Sequence, residues 1–199
     1  MTLRNAIFLA ILAAFYGIYL LKMLLLRRQG IDGSLLGKGE KPERKRLVEV
    51  ILRLVTLLGG VIQFVSVLFP NLLPGLASST ATWSIGTTAA TVGCVLFTLA
   101  VIQMRENWRA GFNSTQKTSL VTHGIYSISR NPAFVGFDLL YIGCAIAYPN
   151  IINITAAIAA VILFHMQILG EESFLTNTFG ASYSSYAARV RRYLGRRSA

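Results

Sequence analysis

Four ionisable side chains lie within or next to long apolar segments of this sequence, where an unpaired charge is costly. Asp138 and His165 each lie inside such a segment, and the pair Glu171-Glu172 follows directly after one. A residue that is retained at this cost is a candidate for binding a ligand or moving a proton. These four residues form the short list of candidate chemical groups.

A second candidate site surrounds Arg130, which precedes Asn131 and Pro132. Asn is a good N-cap and Pro suits the first helical position, so a helix is predicted to begin here. Arg130 would then lie beside the free N–H groups at the positive end of that helix, which is the outline of an anion site. An arginine that is solvated or bound to lipid headgroups would look the same in the sequence, so both interpretations stay open.

Asp138 and His165 are expected to lie at similar depth in two neighbouring helices. Asp138 follows Pro132 by six residues and His165 precedes Glu171 by six, so each lies about 9 Å along its helix at 1.5 Å per residue. They could form a hydrogen bond that ties the helices together, or they could contact a ligand or substrate.

The elements that must position these groups are apolar helices. Of the 199 residues, 54% are hydrophobic and 14% are charged, a composition too apolar for an ordinary soluble domain. Roughly 20 apolar helical residues cross the hydrocarbon core of a bilayer. The sequence therefore predicts an all-α, polytopic membrane protein with about five transmembrane helices, at residues 6–26, 48–69, 84–103, 133–148 and 151–170.

The first segment is expected to be a retained helix and not a cleaved signal peptide, because it is long, is followed by basic residues and lacks a small-residue cleavage pattern. Cys94 and Cys144 fall inside predicted helices without a CxxC motif or a His partner. They predict neither a metal site nor a disulfide, and we expect them to pack in the core.

The distribution of charge predicts the orientation of the chain. Lys and Arg number 19 against 8 Asp and Glu. Seven of these cations lie in residues 27–46, four in residues 105–132 and five after residue 170, whereas the connections predicted on the opposite side carry only Arg4. The positive-inside bias places the basic side in the cytoplasm and the N-terminus outside. Topology and anionic lipid headgroups explain the basic residues, so no nucleic-acid partner is expected.

Several spacings predict how the helices pack. Glu49 and Arg53 are four residues apart, in the favourable order for an ion pair along one helix. The connection Pro149-Asn150 is so short that the two flanking helices must form an antiparallel hairpin, which brings the surroundings of Pro132 and Glu171 together. A small-residue stripe that permits close helix approach consists of Gly86, Ala89, Ala90 and Gly93.

The C-terminal tail is predicted to contain amphipathic helices. Glu171-Glu172 could begin a helix neutralised by the arginines of the tail, Gly180 could end it, and Ser182 could cap the next one. Such a helix could lie on the membrane surface or over the hairpin, and periodicity does not distinguish the two. Its apolar stripe consists of Leu175, Phe179, Tyr183, Tyr186, Val190 and Tyr193.

Residues 107–194, under half of the chain, carry an ordered set of motifs that resembles the isoprenylcysteine carboxyl methyltransferase and phospholipid methyltransferase group of integral membrane enzymes. Each motif is weak alone, and the ordered set separated by a helical hairpin is a strong signal. The motifs are Asn107-Trp108-Arg109, residues 120–126 (LVTHGIY), residues 130–134 (RNPAF), Glu171-Glu172, Phe179-Gly180, Tyr183, Tyr186 and Arg192.

The resemblance implies that the chain binds S-adenosyl-L-methionine without a Rossmann fold, and the sequence has no GxGxxG motif. It implies candidate catalytic roles for Arg130, Asn131, Glu171 and Arg192, the last matching an arginine near the cofactor or the substrate carboxylate. It implies no metal. The expected cofactor-binding residues are His123, Gly124, Tyr126, Arg130, Asn131, Pro132, Glu171, Glu172, Tyr183 and Tyr186.

Two positions depart from the pattern of the resembling family. Asn131 stands where the carboxyl methyltransferases commonly have His, and Asn cannot act as a general base. This favours O- or S-methylation, because a carboxylate acceptor needs no deprotonation. Arg191 stands where the family often has Pro, which predicts a differently angled tail.

The leading hypothesis is a single membrane domain, residues 1–199, with a three-helix part (1–104) and a cofactor-binding part (105–199). It would methylate the carboxylate of an isoprenylcysteine-like or other lipophilic acceptor that enters from the membrane lipids, with the active site facing the cytoplasm. The alternatives are a phospholipid (phosphatidylethanolamine-type) N-methyltransferase, an NADPH-dependent membrane sterol reductase and a helical scaffold without activity. The sequence does not determine the acceptor or the oligomeric state.

Overall fold

A computed structural model describes residues 1–39, 41–73, 75–111 and 119–197. The described residues form helices and contain no β-strand, apart from three isolated bridges. Short 3-10 turns cover Arg105–Asn107 and Gly124–Ser127. The helices are α1 (Leu3–Arg28), α2 (Glu43–Leu68), α3 (Thr80–Met104), α4 (Pro132–Ala147), α5 (Ile151–Phe179) and α6 (Ala181–Arg189). The all-α prediction is therefore confirmed.

Four helices, α1, α2, α3 and α5, are long and apolar enough to cross a membrane by length and composition. The remaining predicted span, α4, is apolar but has 16 residues, which is about 24 Å of helix at 1.5 Å per residue. The chain is thus a polytopic membrane protein in which α4 is the short member of the hairpin.

Helix α5 continues nine residues beyond the end predicted at Gly170. The possibility that a new helix begins at Glu171 is therefore wrong, and both glutamates lie inside one continuous helix. A glycine in a helix interior costs about 1 kcal/mol relative to alanine, which the flanking good helix formers outweigh. The helix ends at Phe179, and the next residue, Gly180, has a φ of +52°, which favours glycine.

Successive connections between the helices lie at opposite ends of the bundle, so every second connection shares an end. At one end, Arg4 donates to Thr80 at 2.8 Å and Tyr148 donates to Asn5 at 3.3 Å. At the other end, the backbone of Leu35 donates to the carbonyl of Ala110 at 2.8 Å. The basic connections therefore share one end, as the alternation requires, although Lys117 lies outside the described residues.

Helices α3 and α4 approach closely through glycines. A Cβ atom added to Gly86 would lie 2.4 Å from the carbonyl oxygen of Gly143, and one added to Gly93 would lie 2.6 Å from that of Gly136. The predicted small-residue stripe is confirmed as a packing surface, in which Ala90 is buried and Ala89 is half-buried. The matching glycines of α4 have the same spacing of seven residues.

Two apolar clusters form the core around α4. One joins α1, α3 and α4 and contains Phe15 and Phe97, whose rings stack at 4.4 Å. The other joins α2, α4 and α5 through Leu52, Tyr141 and Phe164. Both cysteines are free, and Cys144 is buried in the first cluster with Cys94 packed against it. This confirms the expected packing role.

The predicted pair of Glu49 and Arg53 is wrong. Glu49 accepts from the ammonium of Lys41 at 2.7 Å and from the backbone N–H of Gly37 at 2.7 Å. The side chains of Lys41 and Glu49 are 3% and 1% exposed. The connection between α1 and α2 folds back over the start of α2, and it supplies a cation that helix spacing alone cannot reveal.

Helix α6 packs over the α4–α5 hairpin, which is the second of the two predicted placements. The first, a helix that lies on the membrane surface apart from the bundle, is not observed. Tyr183, Tyr186 and Val190 are 4%, 4% and 5% exposed and form a cluster with Leu175 and Phe179. Ser182 makes no capping hydrogen bond, because α6 begins at Ala181 and Gly180 occupies the N-cap position. Tyr193 leaves the stripe, since α6 ends at Arg189 and the chain then turns back.

Candidate functional site

A cavity of about 870 Å³ extends from a polar chamber between α4, α5 and α6 into an apolar arm along α1 and α2. The polar chamber and the apolar arm are continuous. The loops that precede α2 and follow α3 close the chamber with residues such as Ser34, Trp108 and Leu120. Predicted site residues that line the chamber are Tyr126, Arg130, Asn131, Glu171, Tyr183 and Tyr186.

Glu172 is held by two arginines. The guanidinium of Arg130 donates to Oε1 at 2.9 and 3.1 Å, and that of Arg192 donates to Oε2 at 2.9 and 3.1 Å. The hydrogen bond to Glu172 raises the pKa of Arg192 further. The cluster joins α5, the start of α4 and the tail, and it fixes the wall of the chamber.

The predicted anion site would leave the Arg130 guanidinium free at the start of α4, but this guanidinium is bound by other groups of the protein. Besides Glu172, its guanidinium donates to the carbonyls of Ala187 at 3.0 Å and Val190 at 3.2 Å. Its side chain is 8% exposed. These carbonyls come from the end of α6, where cations are favourable. Arg130 therefore fastens α6 over the chamber.

Asn131 precedes α4, and Pro132 occupies the first helical position as predicted. Asn131 occupies the N-cap position, but its side chain makes no capping hydrogen bond. Its amide nitrogen donates to Glu172 at 3.1 Å and to the carbonyl of Arg192 at 3.2 Å. The predicted side-chain cap is therefore wrong. These contacts do confirm that the two ends of the α4–α5 hairpin meet.

Glu171 has a different environment from its neighbour. It faces the chamber and accepts from the amide of Gln167 at 3.0 Å, and it forms no ion pair with a described residue. The same Gln167 nitrogen lies 3.5 Å from Glu49. A polar chain thus runs from Lys41 through Glu49 and Gln167 to the Glu171 carboxylate, which leaves Glu171 as a carboxylate available to a ligand.

Tyrosines form the roof of the chamber. The Tyr186 hydroxyl donates to the carbonyl of Tyr126 at 2.7 Å, which joins α6 to the 3-10 turn below it. The Tyr183 hydroxyl is buried and has no hydrogen-bond partner in the described part of the chain. Burial raises the pKa of Tyr183 to about 12, so its phenol stays protonated and can donate to a ligand at neutral pH.

The other predicted cofactor-binding residues lie outside the cavity wall. His123 is exposed, and Gly124 has a φ of +60° and packs against Gln103. Pro132 is buried, and Glu172 accepts hydrogen bonds from the wall residues Arg130 and Asn131. Arg192, among the candidate catalytic residues, donates to Glu172. For these residues a direct contact with a cofactor stays a prediction.

Asp138 and His165 do not pair. His165 forms a 2.5 Å hydrogen bond with the Tyr193 hydroxyl, and Asp138 Oδ1 is buried without a partner among the described residues. Neither residue lines the cavity. The tail returns along α5 and places Tyr193 beside His165, which the spacing within the hairpin could not reveal.

The backbone of the tail also pairs with the segment before α4. Arg130 N–H donates to the carbonyl of Arg191 at 3.1 Å, and Arg191 N–H donates to that of Gly195 at 2.9 Å. A proline at position 191 would lose the second bond, since it has no N–H.

Sequence reasoning missed Gln167 and the apolar arm. Gln167 precedes Glu171 by four residues, and this spacing on one helix face was the available signal. The rim of the arm includes Leu20, Leu57 and Val61, which are 59%, 66% and 56% exposed on the outer surface of α1 and α2. The arm therefore opens on the side of the bundle that faces lipid.

The sequence matches the family described as phospholipid methyltransferase over residues 80–182. It is similar to protein-S-isoprenylcysteine O-methyltransferase A of Arabidopsis thaliana, with 30% identity over 60% of this chain and 62% of the relative. It is also similar to protein-S-isoprenylcysteine O-methyltransferases of Tribolium castaneum, with 32% identity over 59% of this chain and 43% of the relative, and of Schizosaccharomyces pombe, with 36% identity over 36% and 30%. The chain spans less than two thirds of the length of these relatives.

Proposed function

The chain belongs to the phospholipid methyltransferase family, and on this premise we propose that it is a membrane methyltransferase that uses S-adenosyl-L-methionine. We propose further that it methylates the carboxylate of an isoprenylcysteine-like or similar lipophilic acceptor. The relatives named protein-S-isoprenylcysteine O-methyltransferase support this choice of acceptor.

The observation that carries the proposal is the continuity of the cavity. A polar chamber that contains the Glu171 carboxylate, which forms no ion pair with a described residue, opens into an apolar arm whose rim is exposed toward lipid. Its volume, about 870 Å³, is at the upper end of ordinary ligand pockets. A small polar methyl donor and a long apolar acceptor could therefore meet in one space.

The groups of the chamber fit S-adenosyl-L-methionine. Its ribose hydroxyls and ammonium are donors that the Glu171 carboxylate can accept, and its carboxylate and adenine nitrogens can accept from the Tyr183 hydroxyl, which lacks a partner in the described residues. Tyr126 and Tyr186 offer aromatic surface to the adenine. Arg130 and Asn131 complete the wall, and Glu172 holds both of them in place. A direct contact of His123, Gly124, Pro132 or Glu172 with the cofactor stays a prediction.

When bound, S-adenosyl-L-methionine supplies an electrophilic methyl group on a sulfonium. The protein contributes orientation and the exclusion of water, which suffice because the acceptor itself is the nucleophile. Glu171 must orient the donor without stabilising the sulfonium charge strongly, since that charge disappears in the transition state. Arg192 acts through Glu172, whose position it fixes.

A second candidate acceptor is the amine of a phospholipid, which the description of the matched family favours. An ammonium acceptor must lose a proton before it can attack, and Asn131 cannot take that proton. Glu171 is the carboxylate of the chamber that could do so. A carboxylate acceptor needs no such step, and for this reason it is the leading candidate.

Transfer of label separates the two acceptors. The purified protein in lipid vesicles is supplied with S-adenosyl-L-methionine labelled on its methyl group and with either an N-acetylated S-farnesylcysteine or phosphatidylethanolamine. We expect label in the prenylcysteine, released by base as a methyl ester is. Base-stable label in the phospholipid would instead establish the amine acceptor. No label in either, with protection of the protein by NADPH, would contradict a methyltransferase.

A further inference from the structure

Arg53 is a cation in the wall of the cavity, on a helix that crosses the membrane. It lies on α2, six residues beyond Leu47, where the apolar part of the helix begins, and thus about 9 Å along the axis. An ionisable residue retained at such a position is a functional candidate when it has no partner. Arg53 forms no ion pair or side-chain hydrogen bond with a described residue.

The neighbouring charges are used elsewhere. Glu49, one turn before Arg53, is bound by Lys41 at 2.7 Å and by Gly37. Arg130, the second arginine of the wall, is held by Glu172 and by two carbonyls of α6. Arg109, the third, donates to the carbonyls of Glu106 and Trp108. Arg53 is therefore the wall arginine whose guanidinium is uncommitted in the described part of the chain.

The place of Arg53 along α2 suits the head of an amphiphile. The α2 residues that line the cavity run from Leu52 to Leu68, and beyond Thr56 they are apolar or glycine. Arg53 thus stands at the end of the apolar arm that leads into the polar chamber. An acyl or prenyl chain along the arm would place its polar head beside this guanidinium.

We propose that Arg53 binds the carboxylate of the acceptor and so determines specificity for an anionic lipophilic acid. This inference rests on the proposed function and names the residue that recognises its substrate. A guanidinium pairs with a carboxylate through two parallel, charge-assisted hydrogen bonds. The same charge disfavours an ammonium head by like-charge repulsion.

The test compares two ligands that differ in the charged group alone. The N-acetylated S-farnesylcysteine acid and its carboxamide compete with a fluorescent farnesyl probe for the vesicle-embedded protein. Because both ligands carry the same chain, the ratio of their dissociation constants isolates the contribution of the carboxylate and cancels general damage to the apolar arm.

In the wild type we expect the acid to bind about tenfold or more tightly than the amide, as a charge-assisted hydrogen bond predicts. Arg53→Gln should reduce this ratio to about one, and Arg53→Lys should retain most of it. Arg53→Leu, which suits the apolar wall, serves as a second neutral variant if Arg53→Gln does not fold. Arg46→Gln, an exposed arginine earlier on α2 that does not line the cavity, is the matched control and should leave the ratio unchanged.

An acid-to-amide ratio that Arg53→Gln leaves unchanged would overturn the proposal, whether both affinities fall equally or neither falls. A wild type that binds acid and amide equally well would overturn it too. The labelled-methyl assay on the same samples distinguishes a failure of the proposed methyltransferase activity from a failure of the Arg53 assignment. If the wild type prefers the acid through Arg53 but transfers no methyl group, the proposed activity fails and the binding site stands. If methyl transfer proceeds and Arg53→Gln keeps the preference, the assignment of Arg53 fails alone.

Discussion

Glu171 and Glu172 are identical in chemistry and adjacent in sequence, yet they face different partners. Glu172 points to Arg130, Arg192 and Asn131, and its side chain is 12% exposed. Glu171, one residue earlier on α5, points in a different direction around the helix axis and faces the chamber. It accepts a hydrogen bond from the neutral amide of Gln167. We infer that one carboxylate fixes the structure and the other binds the ligand.

Substitution of each glutamate by glutamine separates these roles. Glu171→Gln should weaken binding of S-adenosylhomocysteine about tenfold or more, because a charge-assisted hydrogen bond to the ligand is lost. Its unfolding temperature in detergent should change little. Glu172→Gln should lower the free energy of unfolding by on the order of 3 kcal/mol, because two arginines lose their shared counter-charge.

Calorimetric titration and thermal unfolding of the two variants measure the ligand affinity and the stability. The variants serve as controls for one another, since the chemical change is the same. Equal effects of both substitutions on stability, with unchanged ligand affinity in Glu171→Gln, would contradict the division of roles.

At the scale of elements, the contact of α3 with α4 is set by backbone atoms. Each glycine of the pairs Gly86–Gly143 and Gly93–Gly136 lies against the backbone carbonyl of its partner. A backbone carbonyl in a helix cannot move aside as a flexible side chain can. The close approach brings α4, and with it Asn131, into a fixed position beside α3. In lipid such packing replaces the hydrophobic drive that assembles soluble helices.

A methyl group at Gly143 should force the two helices apart. A Cβ atom there would lie 2.5 Å from the carbonyl oxygen of Gly86 and 2.7 Å from the nitrogen of Ala90. Gly143→Ala should therefore destabilise the fold by about 2 kcal/mol, as overpacking of a core does. Unfolding in mixed detergent micelles measures the change.

Gly17→Ala is the matched control, because a Cβ atom at Gly17 in α1 has no atom within 4 Å. This substitution should leave stability unchanged or raise it by up to about 1 kcal/mol through helix propensity. A larger loss of stability in Gly17→Ala than in Gly143→Ala would contradict the packing argument.

At the scale of the whole molecule, the connections sort into two ends. The loop before α2, the segment after α3 and the C-terminal tail share the end that holds the polar chamber, and the starts of α1 and α3 share the other. Because the first group carries nearly all the cations, the positive-inside bias predicts that the chamber faces the cytoplasm.

Single cysteines test this orientation. Ser78→Cys, exposed at the end that carries Arg4, should react with a membrane-impermeant maleimide in intact cells. Lys38→Cys and Arg196→Cys, exposed at the chamber end, should react only after permeabilisation. The wild type, whose two cysteines lie within helices, gives the background. Labelling of position 38 or 196 in intact cells would reverse the predicted topology.

The helices, their order and the meeting of the hairpin ends follow from local features of the sequence. Long uncharged runs must be helical in lipid because every backbone group needs an internal partner. The two-residue connection Pro149-Asn150 permits no arrangement except an antiparallel pair, and the contact of Asn131 with Glu172 follows from it. The motifs along the chain also pointed to the family.

Which charged groups pair, and which remain for a ligand, depends on the three-dimensional fold. Helical spacing favours a pair of Glu49 and Arg53, but Lys41 reaches Glu49 from a loop and leaves Arg53 in the cavity. The similar depth of Asp138 and His165 in the hairpin permits a pair between them, but the tail brings Tyr193 to His165 instead. Ion pairs form over a few ångströms in space, and loops and tails supply partners that periodicity along one helix cannot register. The apolar arm likewise arises from two helices that lie side by side, so no single segment encodes it.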